Sequence, residues 1–126
     1  MGAFYVTIGV GDSKGERLEE VRALADTGAA WTWLPREILD RLDYRPSVKR
    51  RLQTADNRII VRDAGMVTIR IGDEALPTLT IFGDSQSMPL LGATTLQQFS
   101  LAPDPVNERL VPIVGVLATL LDQDDD

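Results

Sequence analysis

Asp26-Thr27-Gly28 is where this chain has the means for chemistry. The stretch LADTGAAWTWLP, residues 24–35, is neutral and mostly apolar except for one carboxylate, Asp26. The sequence has no histidine and no cysteine. Serine–histidine and cysteine–histidine nucleophiles are therefore excluded, as are the usual zinc sites. A hydrolase built from this chain must move protons with carboxylates and water. Taken alone, an aspartate before a glycine is also an ordinary turn residue that accepts nearby backbone N–H groups. Its surroundings make more of it. Apolar strands lead into Asp26 and away from Ala30. A second apolar stretch, Pro89-Leu90-Leu91, ends at Gly92 and starts a helix. Between them a hairpin turns at Asp56-Asn57, long enough to fold over a cleft.

Other candidates carry less. GVGDSKGE (residues 9–16) has glycines and a lysine, but Lys14 precedes Gly15 and Glu16 follows it, so the phosphate-loop spacing fails and a hairpin turn remains. The aspartates at the C-terminal end have neither the glycine turn nor the fixed spacing of a cation loop. Net charge is −6 with 13 Lys and Arg against 19 Asp and Glu, which argues against nucleic acid as a partner. Lys49-Arg50-Arg51 is the one basic cluster and reads as a solvated strand face. The longest apolar run, Leu110 to Leu121, is short for a membrane span and contains Pro112. Without a basic leader at the N-terminus, a cytoplasmic protein is expected.

The elements that must position Asp26 are mostly strands. Residues 3–10 are β-branched and aromatic. Leu18 to Ala25 suits a returning strand, although RLEEVRALA also has helical character. Trp31 to Pro35 alternates as a strand, and PREILDRLDY places Pro35 at a helix start with Ile38, Leu39 and Leu42 at helical spacing. Val48–Ala55 and Arg58–Val61 flank the Asp56-Asn57 turn. In Met66–Ile71, Val67, Ile69 and Ile71 point one way and Met66, Thr68 and Arg70 the other. Leu79 and Ile81 belong to a further strand, MPLLG to a short buried one, ATTLQQF to a turn or two of helix, and DPVNERL to a turn between two short strands. With 126 residues the chain suits one domain, residues 1–121, ending in a fraying acidic tail at 122–126. Short strands with turn signals about every ten residues give a mostly-β barrel or sandwich with one or two short helices.

Asp26-Thr27-Gly28-Ala29, followed by Leu90-Leu91-Gly92 before a short helix, resembles the retroviral-type (retropepsin-like) aspartic proteases, and most of all their small bacterial single-domain members. DTGAAWTWLP, TADNRIIVRDAG, PLLGATTLQQF and DPVNERLVP are similar to those proteins in content and order, over nearly the whole chain. The resemblance implies a single-lobed, closed β-barrel or sandwich and an aspartic endopeptidase. Hydrolysis by water needs a base and an acid. Two carboxylates about 3 Å apart serve as both, because they cannot both ionise and so share a proton. The chain has one Asp-Thr-Gly, so the second Asp26 comes from a homodimer partner. The resemblance makes Asp26, Thr27 and Gly28 catalytic, with Thr27 bonding its counterpart across the dimer. It makes the hairpin Thr54 to Ile60 a flap, and places Ala29, Ala30, Thr54, Ala55, Asp56, Asn57, Ile59, Leu91 and Gly92 against a polypeptide substrate. No cofactor and no metal are implied.

The sequence also departs from the retroviral pattern. Retroviral enzymes carry an Asp after Asp-Thr-Gly-Ala and an Arg after the later Gly, and the two pair. Here those positions are Ala30 and Ala93, so both partners are missing together. No glycine lies between Leu52 and Ala64, so the flap should be stiffer. LVPIVGVLATLL, residues 110–121, has the composition of a dimer interface and equally of a core strand with a helix. A catalytically silent, peptide-binding or regulatory dimer with the same fold is the alternative function.

Overall fold

The computed structural model describes residues 3–114. Nine strands and two short helices follow one another: β1 Phe4–Gly11, β2 Leu18–Ala25, β3 Thr32–Pro35, α1 Arg36–Arg41, β4 Val48–Gln53, β5 Ile59–Ile71, β6 Glu74–Gly83, β7 Leu90–Leu91, α2 Ala93–Gln98, β8 Leu101–Asp104 and β9 Arg109–Pro112. Seven strands form one sheet in the order β1-β2-β7-β3-β6-β5-β4, and β8 and β9 form a separate ribbon. β1 also pairs with β5 through Gly9↔Arg70 and Val10↔Ile69. Six strands are thereby joined in a closed cycle, and β4 is left outside it at the sheet edge.

Alternation decides the local structure. In β2, Val21, Ala23 and Ala25 are buried at a period of two, so the segment with helical character is a strand. In β5, Val67 and Ile69 face the core while Met66 is 54% exposed. α1 turns Leu39 inward, and Leu42, just past its end, is buried beside it. α2 buries Leu96, with Phe99 following at its end. Ile8, Leu34, Ile81, Phe82 and Leu91 complete the core these elements enclose.

One expectation changes. The two strands read at Arg58–Val61 and Met66–Ile71 are a single strand of 13 residues. Arg62-Asp63-Ala64-Gly65 does not interrupt it, because pairing is handed over inside that segment. β5 pairs with β4 from Ile59↔Gln53 to Ala64↔Val48, and with β6 from Ala64↔Ile81 to Ile71↔Glu74. One strand thus serves the sheet with one half and carries a projecting hairpin with the other.

The turn at residues 12–17 joins β1 to β2 and is organised by Asp12. This buried carboxylate accepts the N–H groups of Glu16 (2.7 Å) and Arg17 (3.1 Å), and Gly15 takes the left-handed conformation at φ +76°. At the other end, Leu110–Pro112 lies in β9, and Ile113 N–H donates to the Ser100 carbonyl at 2.9 Å. Most of the segment offered as a dimer interface, and the acidic tail, lie outside the described residues. Among those described, no helix is long and apolar enough to cross a membrane.

The Asp12 carboxyl is held below its ordinary value of 3.8, chiefly by the Arg17 N–H and further by Glu16 and the Arg17 guanidinium. A depressed folded-state pKa adds stability that is complete above the ordinary value and is lost as pH falls through the lowered one. Asp12→Asn, which keeps the size and removes the charge, should be less stable than wild type at neutral pH. Urea midpoints across an acid series should show that gap closing below pH 3.8.

Candidate active site

The strand β7 has only two residues, and the site is built around it. β7 runs parallel to β2 through Leu24↔Leu90 and Ala25↔Leu91, and antiparallel to β3 through Trp33↔Leu90. The connection from β2 to β3, residues 26–31, must therefore cross the end of β7. Asp26 is the first residue of that crossing. Its N–H donates to the Leu91 carbonyl at 3.0 Å, one rung beyond Leu24 N–H to the Pro89 carbonyl at 2.9 Å. The ladder that delivers Asp26 thus continues to the aspartate itself.

Beyond Asp26 the loop is fastened to α2. Ala93 N–H donates to the Ala29 carbonyl at 2.8 Å and Thr94 N–H to the Ala30 carbonyl at 3.0 Å. These are N–H groups of the first helical turn, which have no partner inside a helix. Gly92 precedes α2 without a side-chain cap, so the loop backbone supplies the cap. A Cβ at Gly92 would sit 2.4 Å from the Trp31 carbonyl carbon and 2.9 Å from the Ala29 oxygen, so only glycine fits. Gly92 N–H donates to Thr32 Oγ1 at 3.0 Å, and Thr32 Oγ1 lies 2.6 Å from Thr95 Oγ1 with both residues buried. Where the retroviral pattern has a charged pair, Ala30 and Ala93 are here joined to the opposite segment through backbone groups.

The Asp26 carboxylate is half-buried, and its Oδ1 accepts the Gly28 N–H at 2.9 Å. The turn role expected of an aspartate before glycine is therefore filled by one oxygen. Among the described residues Oδ2 has no hydrogen bond. Thr27 is exposed, and its hydroxyl likewise has no partner among the described residues.

A cleft of about 430 Å³ separates this loop from the hairpin. Gly28, Ala29, Ala30 and Trp31 line it from the loop, Trp33 and Leu90 from β3 and β7, and Arg51, Leu52 and Gln53 from β4. Of the residues expected against substrate, the structure places Ala29 and Ala30 on the cleft, beside Gly28. Thr54, Ala55, Asp56, Asn57 and Ile59 lie at the hairpin's far end and do not line it; the stem residues Arg51 to Gln53 do. Leu91 is 0% exposed and Gly92 is buried, so both belong to the support behind the loop, and Leu90 meets the cleft instead. The tryptophans were missed as lining residues, and Thr32 and Thr95 as supports. Alternation held the signal: Thr32 and Leu34 take the core face of β3, which turns Trp31 and Trp33 the other way. A larger cavity of about 570 Å³, around Lys14, Asp40, Asp43 and Arg45, shares none of these residues.

The hairpin tip is closed by side chains rather than by glycine. Thr54 N–H donates to the Arg58 carbonyl at 2.8 Å and Asn57 N–H to the Thr54 carbonyl at 3.0 Å, with Asn57 at φ 67°. Asp56 accepts from the Thr54 hydroxyl and from Arg58 Nε at 3.0 Å, and these two bonds, Thr54 first, hold its carboxyl below the usual range. Among the described residues no three acidic side chains gather as a metal site would need.

The family profile described as gag-polyprotein putative aspartyl protease matches residues 17–98. No curated protein sequence matches the chain. Among solved structures, the protease of simian foamy virus (mac), a solution structure, is similar at TM-score 0.54 and 15% identity, over 80% of this chain and 100% of that one. The EIAV protease in complex with the inhibitor HBY-793 is similar at TM-score 0.58 and 20% identity, over 86% and 92%. At these identities the likeness is one of fold.

Thr32→Val keeps the shape of the buried side chain and removes the oxygen that Gly92 N–H and Thr95 share. Leaving those donors unpaired in the interior should cost about 1–3 kcal/mol. Thr32→Ser should retain most of that. Chemical denaturation of the three proteins tests this, and a Val variant as stable as wild type would show that the bond contributes nothing.

Proposed function

Because this chain belongs to the gag-polyprotein aspartyl protease family, we propose that it is a homodimeric aspartic endopeptidase whose active centre forms where two Asp26 loops meet. The observation that carries the reading is the placement of Asp26. It is fixed from behind by the Leu91 carbonyl, held at one oxygen by Gly28, and set beside a cleft faced by a hairpin. The chain has a single Asp-Thr-Gly, so one copy supplies half of the required pair.

A two-fold axis at the loop brings the second Asp26 to the first. At about 3 Å the two carboxylates would share one proton. The ionised member takes a proton from a water held between them, and the water oxygen bonds to the carbonyl carbon of the peptide. The other member gives its proton to the carbonyl oxygen, producing a gem-diol. The C–N bond then breaks as the nitrogen takes a proton from one carboxyl and a diol hydroxyl returns its own to the other. Free Thr27 hydroxyls bond across the axis and keep the two loops in register. Trp31, Trp33, Leu52 and Leu90 give the cleft apolar walls that exclude water and favour large apolar residues beside the cut.

Sedimentation at micromolar concentration should give a mass near twice 13.9 kDa. Asp26→Asn should remain a folded dimer and lose peptide cleavage on the order of 10³-fold or more, since base, acid and positioning run through one symmetric pair. A strict monomer, or a folded Asp26→Asn protein that cleaves at the wild-type rate, overturns the reading.

A further inference from the structure

The hairpin is far more basic than the chain that carries it. Its paired residues, 48–64, contain five of the 13 Lys and Arg and two carboxylates, Asp56 and Asp63, in a protein of net charge −6. Several of these cations are satisfied locally. Lys49 Nζ lies 2.7 Å from Asp63, Arg58 Nε 3.0 Å from Asp56, and Arg62 Nη2 3.7 Å from Asp84. Arg50 and Arg51 are not. Among the described residues neither has an ion pair, and the one hydrogen bond of the two is from Arg50 to the neighbouring Lys49 carbonyl at 3.0 Å.

Arg50 and Arg51 are consecutive in β4, so their side chains leave opposite faces of the strand. β4 is the edge of the sheet, and Arg51 lines the cleft together with Leu52 and Gln53. No carboxylate is among the residues lining it. We propose that Arg51 selects polypeptide substrates with acidic side chains close to the cut, the carboxylate meeting the one unpaired guanidinium that lines the cleft. The inference rests on the endopeptidase reading and adds the substrate class. Charged residues on an edge strand also prevent edge-to-edge aggregation. That role is indifferent to the charge of a substrate, and the two are separable on that basis.

The test uses the full-length protein and peptides with one pair of large apolar residues at the cut, flanked by Glu, Gln or Lys. Exposed ion pairs discriminate modestly, so kcat/KM for Glu over Lys should be about 5-fold. The ratio should shrink as salt rises from 0.05 to 0.5 M. It should invert in Arg51→Glu and persist in Arg51→Lys. In parallel, the Asp26→Asn protein should bind the labelled Glu peptide more tightly than the Lys peptide by fluorescence anisotropy. Equal cleavage or equal binding of the two peptides overturns the inference, as does a preference that survives Arg51→Glu. A folded wild type that cleaves no peptide counts against the endopeptidase reading, and the binding comparison still decides whether acidic peptides are preferred.

Discussion

The space that a side chain at Gly92 would fill is occupied by the backbone of residues 29–31, and the rest of the site follows from this contact. The approach is close enough that Gly92, Ala93 and Thr94 turn their N–H groups onto Thr32 Oγ1 and the Ala29 and Ala30 carbonyls. Three donors at the start of α2 are satisfied by the loop, and the loop gains a rigid support. Asp26 is fixed from the other side by Leu91. Under the proposed function such bracing matters, because a carboxylate paired with its symmetric copy at about 3 Å would tolerate little wander.

This support contains no charge. Alanines at 30 and 93, in place of Asp and Arg, leave backbone hydrogen bonds and one buried threonine pair to hold loop against helix. Buried ion pairs carry a desolvation cost that backbone bonds of this kind avoid, so the exchange is compatible with a well-fixed loop. It also removes the acidic group that retroviral enzymes place beside Asp-Thr-Gly-Ala, and the cleft is left with Arg51 as its one charged lining residue.

The hairpin obeys a different economy. Its outer half pairs β4 with β5 alone, and Ile59 and Val61 stand about half exposed on it. Cohesion comes from ladder bonds, from Asp56 joining Thr54 to Arg58 at the tip, and from Asp63 at the base, whose carboxyl sits below the usual range because Lys49 and then Arg36 donate to it. A hairpin made in this way has no glycine at its tip at which to flex. The stem, not the tip, is the part that lines the cleft.

Sequence by itself determined the mostly-β fold with its short helices, and it singled out Asp26 as the candidate for chemistry. Alternation, turn residues and the absence of histidine and cysteine are local or compositional properties, and Asp26-Thr27-Gly28 with Leu90-Leu91-Gly92 marked both sides of the loop. Tertiary structure decided what depends on partners distant in the chain. It joined Arg58–Val61 to Met66–Ile71, because a strand can exchange one neighbour for another at Ala64 without any local signal. It turned Leu91 inward and Leu90 to the cleft, since in a two-residue strand only the flanking strands set the face. It brought Thr32 to Thr95 across 63 positions, a bond that no spacing rule anticipates. The chemistry was legible because it resides in residue types. The support behind it was not, because packing is settled between elements that meet only once the sheet has closed.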